Sequence, residues 1–549
     1  MVLETCRYVH EPDLVQTMDM ATLTVLGRKE MVLYAKNAAC FSCSLRQVCH
    51  FNRATMKLIV NTTYGTVLKL VDHRNNTVCK REEFTFGEHG NYTLRSSTCL
   101  IEETSPPVNT DLPIYFAILA ILLVTFLLGI FSLVRRNSSS SWFGEGYEAL
   151  DPLSITPSKR LKSLDTFRGL TICFMIFVNY GGGGFWFFEH SPWDGLTVAD
   201  AVFPWYAFAF SAFHGFTIEK NGINQAFLRR VLHRSVLLFF IGMIVINNNR
   251  DWKTLRIMGV LQRLALCYLI VSLARSMTHR RIQETQAMST QWERFSICAD
   301  LFVYVADFIF YALFALLWVG LTFWLPLGAD CPRGYVGPGG LSQGGKYWNC
   351  TGGAATLIDR FVLGESHIYR NPTCKNVYEC SSSFEPEGLL GTLTATINVF
   401  IGLQISQILL VFKRSKSKFI RFFAWAAVLF GAGTFLDGTF KPEIGLIPIN
   451  KNLWSLSFTF VTSAVSIIVF SILFLVIDVC KWWDGSPFTF TGKNAIVLYV
   501  AHVLFRETFP VQWKVENEHP SRLALNLWGV AFWIIVGFFM HRRGIYLSL

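Results

Sequence analysis

Apolar residues in this chain are gathered into long runs, and that clustering limits what the chain can fold into. The first run is Pro113–Val134, followed at once by Arg135 and Arg136. Ten more follow, at roughly 168–188, 197–218, 231–247, 257–275, 301–326, 389–412, 419–437, 453–478, 494–509 and 522–540. A helix needs about 20 apolar residues to cross a ~30 Å hydrocarbon core, and only a helix or a closed barrel satisfies its backbone there. With 52% of residues hydrophobic and 16% charged, a single soluble core is excluded. The expected fold is an all-α polytopic membrane bundle of about 11 transmembrane helices with a small N-terminal β-rich luminal domain.

An odd number of crossings puts the termini on opposite sides, and the loop charges choose the orientation. Arg135, Arg136, Lys159, Arg160 and Lys162 fall on one side, with Lys220, Arg229, Arg230, Arg275, Arg280, Arg281, Lys413, Arg414, Lys416, Lys418, Arg542 and Arg543. The positive-inside rule makes that side cytosolic, so the N-terminus is luminal and the C-terminus cytosolic. Arg250, Lys253 and Arg256 are a local exception. Because these cations sit in short loops, the net charge of +11 reflects topology and implies no nucleic-acid partner. Glycosylation acceptors Asn61, Asn75, Asn91 and Asn349 fall on the luminal side; Asn137 matches the same triplet on the cytosolic side and is expected to go unused.

Cysteines agree with an oxidising lumen. Six lie in the N-terminal segment (Cys6, Cys40, Cys43, Cys49, Cys79, Cys99) and four in the long 327–388 loop (Cys331, Cys350, Cys374, Cys380), while Cys173, Cys267, Cys298 and Cys480 sit in or beside apolar runs. Even numbers in both luminal regions imply disulfides, whose pairing is open. A zinc site at Cys40-x-x-Cys43 is the alternative, disfavoured by the missing second pair. The chain divides into 1–108, a luminal, β-rich, disulfide-bearing and glycosylated domain; 109–134, the first membrane helix; 135–163, a cytosolic linker; and 164–549, a ten-helix domain with the luminal loop 327–388. Alternating stretches at Met56–Val60 and Thr66–Val71, with turn signals at Asn75-Asn76 and Gly87–Asn91, mark the β region. The first residues lack the charged and apolar parts of a signal peptide.

Polar residues beside the membrane runs carry the chemistry. One helix ends in Asn179-Tyr180 and four glycines, then Phe185–Glu189 and His190. Four glycines weaken a helix but let backbone turn sharply or approach a ligand, and irregular backbone at membrane depth belongs where it lines a cavity. A lone His at a boundary is more often structural than catalytic. Asn179 and Asp200, from the luminal ends of consecutive helices, and His502, inside a later one, alter that balance. His214 has no motif around it and reads as structural. Asp165, Arg168, Arg234 and Arg263 are read as lying near the cytosolic side, either as snorkelling anchors or as a phosphate site, since guanidinium forks match phosphate.

The strings Leu164-Asp165-Thr-Phe-Arg168-Gly169, Phe177-Val-Asn179-Tyr-Gly-Gly-Gly, Gly195-Leu-Thr-Val-Ala-Asp200 with Phe203-Pro-Trp205, and Gly259-Val-Leu-Gln262-Arg263 resemble the heparan-α-glucosaminide N-acetyltransferases. So do Asn349-Cys350-Thr-Gly-Gly-Ala, Pro386-Glu387-Gly388 and Asn450-Lys-Asn452-Leu-Trp454-Ser455-Leu-Ser457. The resemblance implies an eleven-helix, dimeric enzyme of the lysosomal membrane that acetylates the terminal glucosamine of heparan sulfate. Acetyl-CoA is its co-substrate, and no cofactor or metal is permanently bound. It makes His190 the catalytic residue and Asn179 its partner. Acetyl-CoA is assigned to Asp165, Arg168, Arg234, Arg263, Ser455 and Ser457. Acyl transfer needs a base or nucleophile and an oxyanion stabiliser; His190 serves as either, and the sequence leaves ping-pong and ternary-complex routes open. The rival readings are an acyltransferase for another glycan or lipid, and a solute transporter.

Overall fold

The computed structural model describes residues 18–27, 31–50, 55–137, 161–221, 223–247, 251–289, 299–412, 414–439 and 446–547. Cys6, Lys159, Arg160, Arg250, Cys298 and Lys413 lie outside them, as does most of the 135–163 linker. Period-two alternation builds the N-terminal part. Strands β1 (Met20–Leu26), β2 (Val32–Asn37), β3 (Arg46–His50), β4 (Thr55–Asn61), β5 (Thr66–Val71), β6 (Thr77–Phe84), β7 (Asn91–Arg95) and β8 (Leu100–Ser105) form two four-stranded sheets, ordered β4-β1-β7-β8 and β3-β2-β5-β6. Ala21, Leu23, Val25, Leu58 and Leu94 of the first sheet face Leu33, Leu68 and Leu70 of the second across a buried core, the packing of a sandwich.

The rest is helical: α1 (Leu112–Asn137), α2 (Lys162–Asn179), α3 (Val198–Asn221), α4 (Gln225–Ile246), α5 (Val260–Ser289), α6 (Ala299–Phe302), α7 (Val305–Trp324), α8 (Ala354–Leu363), α9 (Lys375–Tyr378), α10 (Leu389–Val411), α11 (Ser415–Asp437), α12 (Leu456–Leu473), α13 (Phe488–Lys493), α14 (Ala495–Leu504) and α15 (His519–Arg542). Among the described residues, six segments are long and apolar enough to cross a membrane: Val260–Thr278 of α5, α7, α10, α11, Leu456–Val479 and α15. Helix α10 is buried along nearly its whole length, against α3, α5, α7 and α12. By contrast, α1 exposes Leu119, Leu122 and Phe126, as a lipid-facing helix does.

Three expected runs are redrawn. The run at 168–188 is displaced, because the helix starts at Lys162 and the glycines end it at Asn179. The run at 301–326 breaks at Tyr304, between α6 and α7. The run at 494–509 yields only the ten residues of α14, a rise of about 15 Å. Gly169 explains part of its motif: a Cβ there would stand 1.8 Å from the Phe488 carbonyl oxygen, so glycine lets α13 lie against α2.

Four pairs form among the described cysteines, Cys40–Cys43, Cys79–Cys99, Cys331–Cys350 and Cys374–Cys380, and Cys49 is disulfide-bonded as well. The Cys40–Cys43 bridge removes the zinc alternative. Cys173, Cys267 and Cys480 are free thiols. Among the described residues, contacts of His519, Arg46 and Tyr378 fasten the sandwich to the helical part. His519, first in α15, turns Nδ1 to the Gly183 carbonyl (3.0 Å) and Nε2 to Asp19 (3.2 Å) and Glu88 (3.6 Å). Arg46 pairs with Glu379 at 2.7 Å. The Tyr378 hydroxyl accepts from the Phe41 amide and donates to the Ala39 carbonyl.

Candidate active site

The glycine run is a reversal. Gly181, Gly182, Gly183 and Gly184 have φ of 111°, 55°, 74° and 80°, a sequence of left-handed values that only glycine adopts without strain. A Cβ on Gly182 would meet Phe188 Cβ at 2.5 Å. The turn carries the chain through a single turn of 3₁₀ helix at Trp186–Phe188 to Glu189 and His190.

His190 Nδ1 lies 2.8 Å from Asp200 Oδ1, in the first turn of α3. The buried Asp200 accepts at Oδ2 from the Ser191 amide (3.1 Å), the Thr197 amide (3.2 Å) and the Thr197 hydroxyl (3.0 Å). A carboxylate so surrounded accepts from Nδ1–H of the imidazole and leaves Nε2 open. The His190 side chain is 35% exposed while that of Asp200 is 1% exposed, so the ring faces space and its partner does not.

Asn179 is assigned a different neighbour from the expected one. Its amide nitrogen lies 2.9 Å from His502 Nε2, while His502 Nδ1 donates to the Leu498 carbonyl at 3.3 Å. That bond fixes the proton on Nδ1, so Nε2 accepts from Asn179. The amide keeps its second N–H and its carbonyl for the cavity. Asn179 and His190 therefore share a wall without sharing a hydrogen bond.

That wall bounds a cavity of about 710 Å³ between the sandwich and the helices. Asn37, Asn61, Thr63 and Tyr64 line it from the sandwich; Glu189, Tyr369, Thr373 and Arg506 from the helical part. Burial, aided by Glu189 and Asp19, pushes the Tyr64 phenol up to about 12, so it remains a donor. Burial and Asp19 also raise Glu189. Asn61, expected as a glycan acceptor, lies in the cavity wall and accepts from the Thr63 amide at 2.9 Å. Asn75, Asn91 and Asn349 are exposed.

The six residues assigned to acetyl-CoA separate into two groups. Asp165 and Arg168, 3.9 Å apart, and Arg234 lie toward the end of the bundle away from the sandwich. Arg168 stacks over Phe213 (5.2 Å), and Arg234 over Phe210 and Tyr268 (4.9 and 5.3 Å). The Nε of each arginine is buried with no hydrogen-bond partner among the described residues. Beside Arg234, a second cavity of about 350 Å³ is lined by Phe227, Arg229, Arg230 and His233.

Arg263 does not join them, contrary to its expected placement. It sits in the first turn of α5, and the direction of that helix puts it at the sandwich end. There Nη2 donates to the Pro386 and Gly388 carbonyls at 2.9 and 3.1 Å, with Trp454 under the guanidinium. Ser455 and Ser457 are at the same end, committed to the helix start. Both hydroxyls donate to the Pro448 carbonyl, at 2.7 and 2.8 Å, and Ser455 caps α12 by accepting from the Phe458 amide.

Sequence reasoning missed a charge network behind His190. Arg256 forks across Glu385 and Glu387, donating from Nε to Glu385 at 2.9 Å and from Nη2 to Glu387 at 2.7 Å and to Glu385. Although burial works the other way, Lys451, Arg256, Arg263 and His190 hold Glu387 well below the usual carboxylate range. The signal was there: Arg256 breaks the charge rule because its charge is paired. Glu189, Tyr64 and Arg506 carried no local signal.

No family model matches the chain. Over 96% of its length it is 34% identical to human heparan-α-glucosaminide N-acetyltransferase, covering 88% of that protein. Against the mouse protein of the same name it is 32% identical over 98% of its length, covering 90%. On identity and coverage of this extent the chain belongs to the heparan-α-glucosaminide N-acetyltransferases, enzymes that transfer acetyl groups.

Proposed function

We propose that this protein transfers acetyl from cytosolic acetyl-CoA to the amine of the terminal non-reducing glucosamine of heparan sulfate in the lysosomal lumen, during heparan sulfate degradation. The chain spans the lysosomal membrane eleven times as a homodimer, with sandwich and cavity luminal and the C-terminus cytosolic. The relatives' name supports the acceptor, and loop charge supports the orientation. The observation that carries the reading is the His190 imidazole, oriented by buried Asp200 with Nε2 open to a cavity large enough for a sugar.

Acetyl-CoA is too polar to cross a bilayer, so its nucleotide is bound at the cytosolic end, where the Arg168 and Arg234 guanidiniums supply positive charge for phosphate. The pantetheine arm carries the thioester toward the cavity. His190 Nε2 takes a proton from the glucosamine nitrogen as that nitrogen bonds to the thioester carbon. The free N–H of Asn179 donates to the developing oxyanion. The carbon–sulfur bond then breaks, and the CoA sulfur leaves with the proton returned by His190. The products are the N-acetylated sugar and free CoA.

The test is acetyl transfer from labelled acetyl-CoA to glucosamine by the purified protein in detergent. Product from wild type and none from a monodisperse His190→Ala that still binds acetyl-CoA is the expected result. No product from wild type would favour a solute transporter, and near-normal turnover in the variant would move the role of base to His502.

A further inference from the structure

Among the described residues lining the cavity, one arginine stands without an ion-pair partner. Arg506 follows α14, in the 505–518 segment, and lines the same space as Asn179 and His190. Its charge acts on both Tyr180 and His502, which places it beside the Asn179–His502 pair. Yet it makes no ion pair and no side-chain hydrogen bond with any described residue. Three arginines of this end are engaged, Arg256 by Glu385 and Glu387, Arg46 by Glu379 and Arg263 by two carbonyls. Among the described residues of the cavity wall Glu189 is the one acidic side chain, and it forms no ion pair with Arg506.

Arg506 is exposed, so its guanidinium on the cavity wall is free to receive an anion that the substrate brings. Acyl transfer to an amine does not itself require one. The acceptor supplies it: in heparan sulfate the terminal glucosamine is joined to a uronic acid, whose carboxylate lies one sugar away from the reacting amine. Small-ligand sites occupy about 300–1,000 Å³, so a cavity of about 710 Å³ accommodates the second ring as well as the first.

We infer that Arg506 is the acceptor-specificity residue, forming a charge-assisted, two-pronged bond with the carboxylate of the uronic acid next to the glucosamine. The inference rests on the acetyl-transfer reading above and deepens it. The sugar enters with its amine at His190 and its carboxylate at Arg506, so the enzyme reads a disaccharide rather than one ring. Neutral side chains on the sandwich face, Asn37, Asn61 and Tyr64, close the space over the two rings with hydrogen-bonding groups that suit hydroxyls.

The experiment compares two acceptors with the full-length protein in detergent: glucosaminyl-glucuronic acid, and the same disaccharide with its carboxyl reduced to a primary alcohol. Wild type should prefer the acid in kcat/KM. Arg506→Gln should lower that preference by roughly tenfold, mainly through KM for the acid, and Arg506→Lys should restore part of it because it keeps the charge without the fork. An unchanged preference in Arg506→Gln, or an equal loss on both acceptors at unchanged acetyl-CoA KM, would overturn the assignment. Failure of wild type to acetylate either disaccharide, or glucosamine itself, would instead remove the activity on which the assignment rests.

Discussion

His190 Nδ1 and Asp200 Oδ1 are 2.8 Å apart, and the second Asp200 oxygen is held by three donors from Ser191 and Thr197. The carboxylate is thereby fixed as an acceptor, and the imidazole with it. In Asp200→Asn an amide N–H can face Nδ1, which moves the ring proton to Nε2 and removes the base. We expect kcat to fall by about 10²–10⁴-fold, the usual worth of general base help, with acetyl-CoA affinity kept. Steady-state turnover and calorimetric binding check both halves; a kcat within threefold of wild type would sink the orienting role.

Arg168 and Arg234 stand apart from Arg263, and their variants should differ in kind. Removing a charge-assisted contact to phosphate costs about 1.5–3 kcal/mol, so Arg168→Ala and Arg234→Ala should raise the acetyl-CoA KM by roughly tenfold or more. Arg263→Ala should chiefly lower the thermal midpoint, because it releases the Pro386 and Gly388 carbonyls. If Arg263→Ala alone weakened acetyl-CoA binding, the division of the six residues would be wrong.

The Arg256 fork makes a stability prediction. Arg256→Met leaves Glu385 and Glu387 buried and unpaired, and breaking a buried pair from one side costs about 3–5 kcal/mol. We expect poor expression or a large drop in unfolding temperature, part of it regained when both glutamates are also changed to glutamine. A single variant as stable as wild type would show that the network is dispensable.

Two buried acids set a pH dependence. Burial pushes Asp359 up to about 7, against the Leu389 amide and with help from Glu385. Burial pushes Asp194 up to about 6, against a bond from Asn450 and with help from Asp437. In both, the folded state binds the proton more tightly than the unfolded chain, so the native protein carries more protons between the ordinary value near 4 and these raised values. The slope these two acids give to stability against pH is then negative: their contribution is largest in acid and falls as pH rises from about 4 to 7. Thermal unfolding at pH 5 and 7.5 measures the difference, and Asp359→Asn should shrink it. A higher midpoint at pH 7.5 would contradict the assignment.

Local chemistry determined the outline of this protein. Apolar runs marked the helices, and alternation at Met56–Val60 and Thr66–Val71 marked the sandwich, because both periods are properties of neighbouring residues. Cysteine counts foretold disulfides, and the four glycines before His190 foretold a turn, since no other residue takes positive φ four times in succession. The His190–Asp200 pair was within reach too, being ten residues apart. Tertiary structure decided what depends on distant partners. Asn179 meets His502 across 323 positions. Arg256 meets Glu385 and Glu387 across more than a hundred, so a charge that looked misplaced is neutralised. Arg263 and Ser455 face the sandwich end because helix direction, not composition, assigns an end of the bundle. Arg506 reaches the cavity wall from the segment that follows the ten-residue α14, and such a contact leaves no trace in the spacing of residues along one segment.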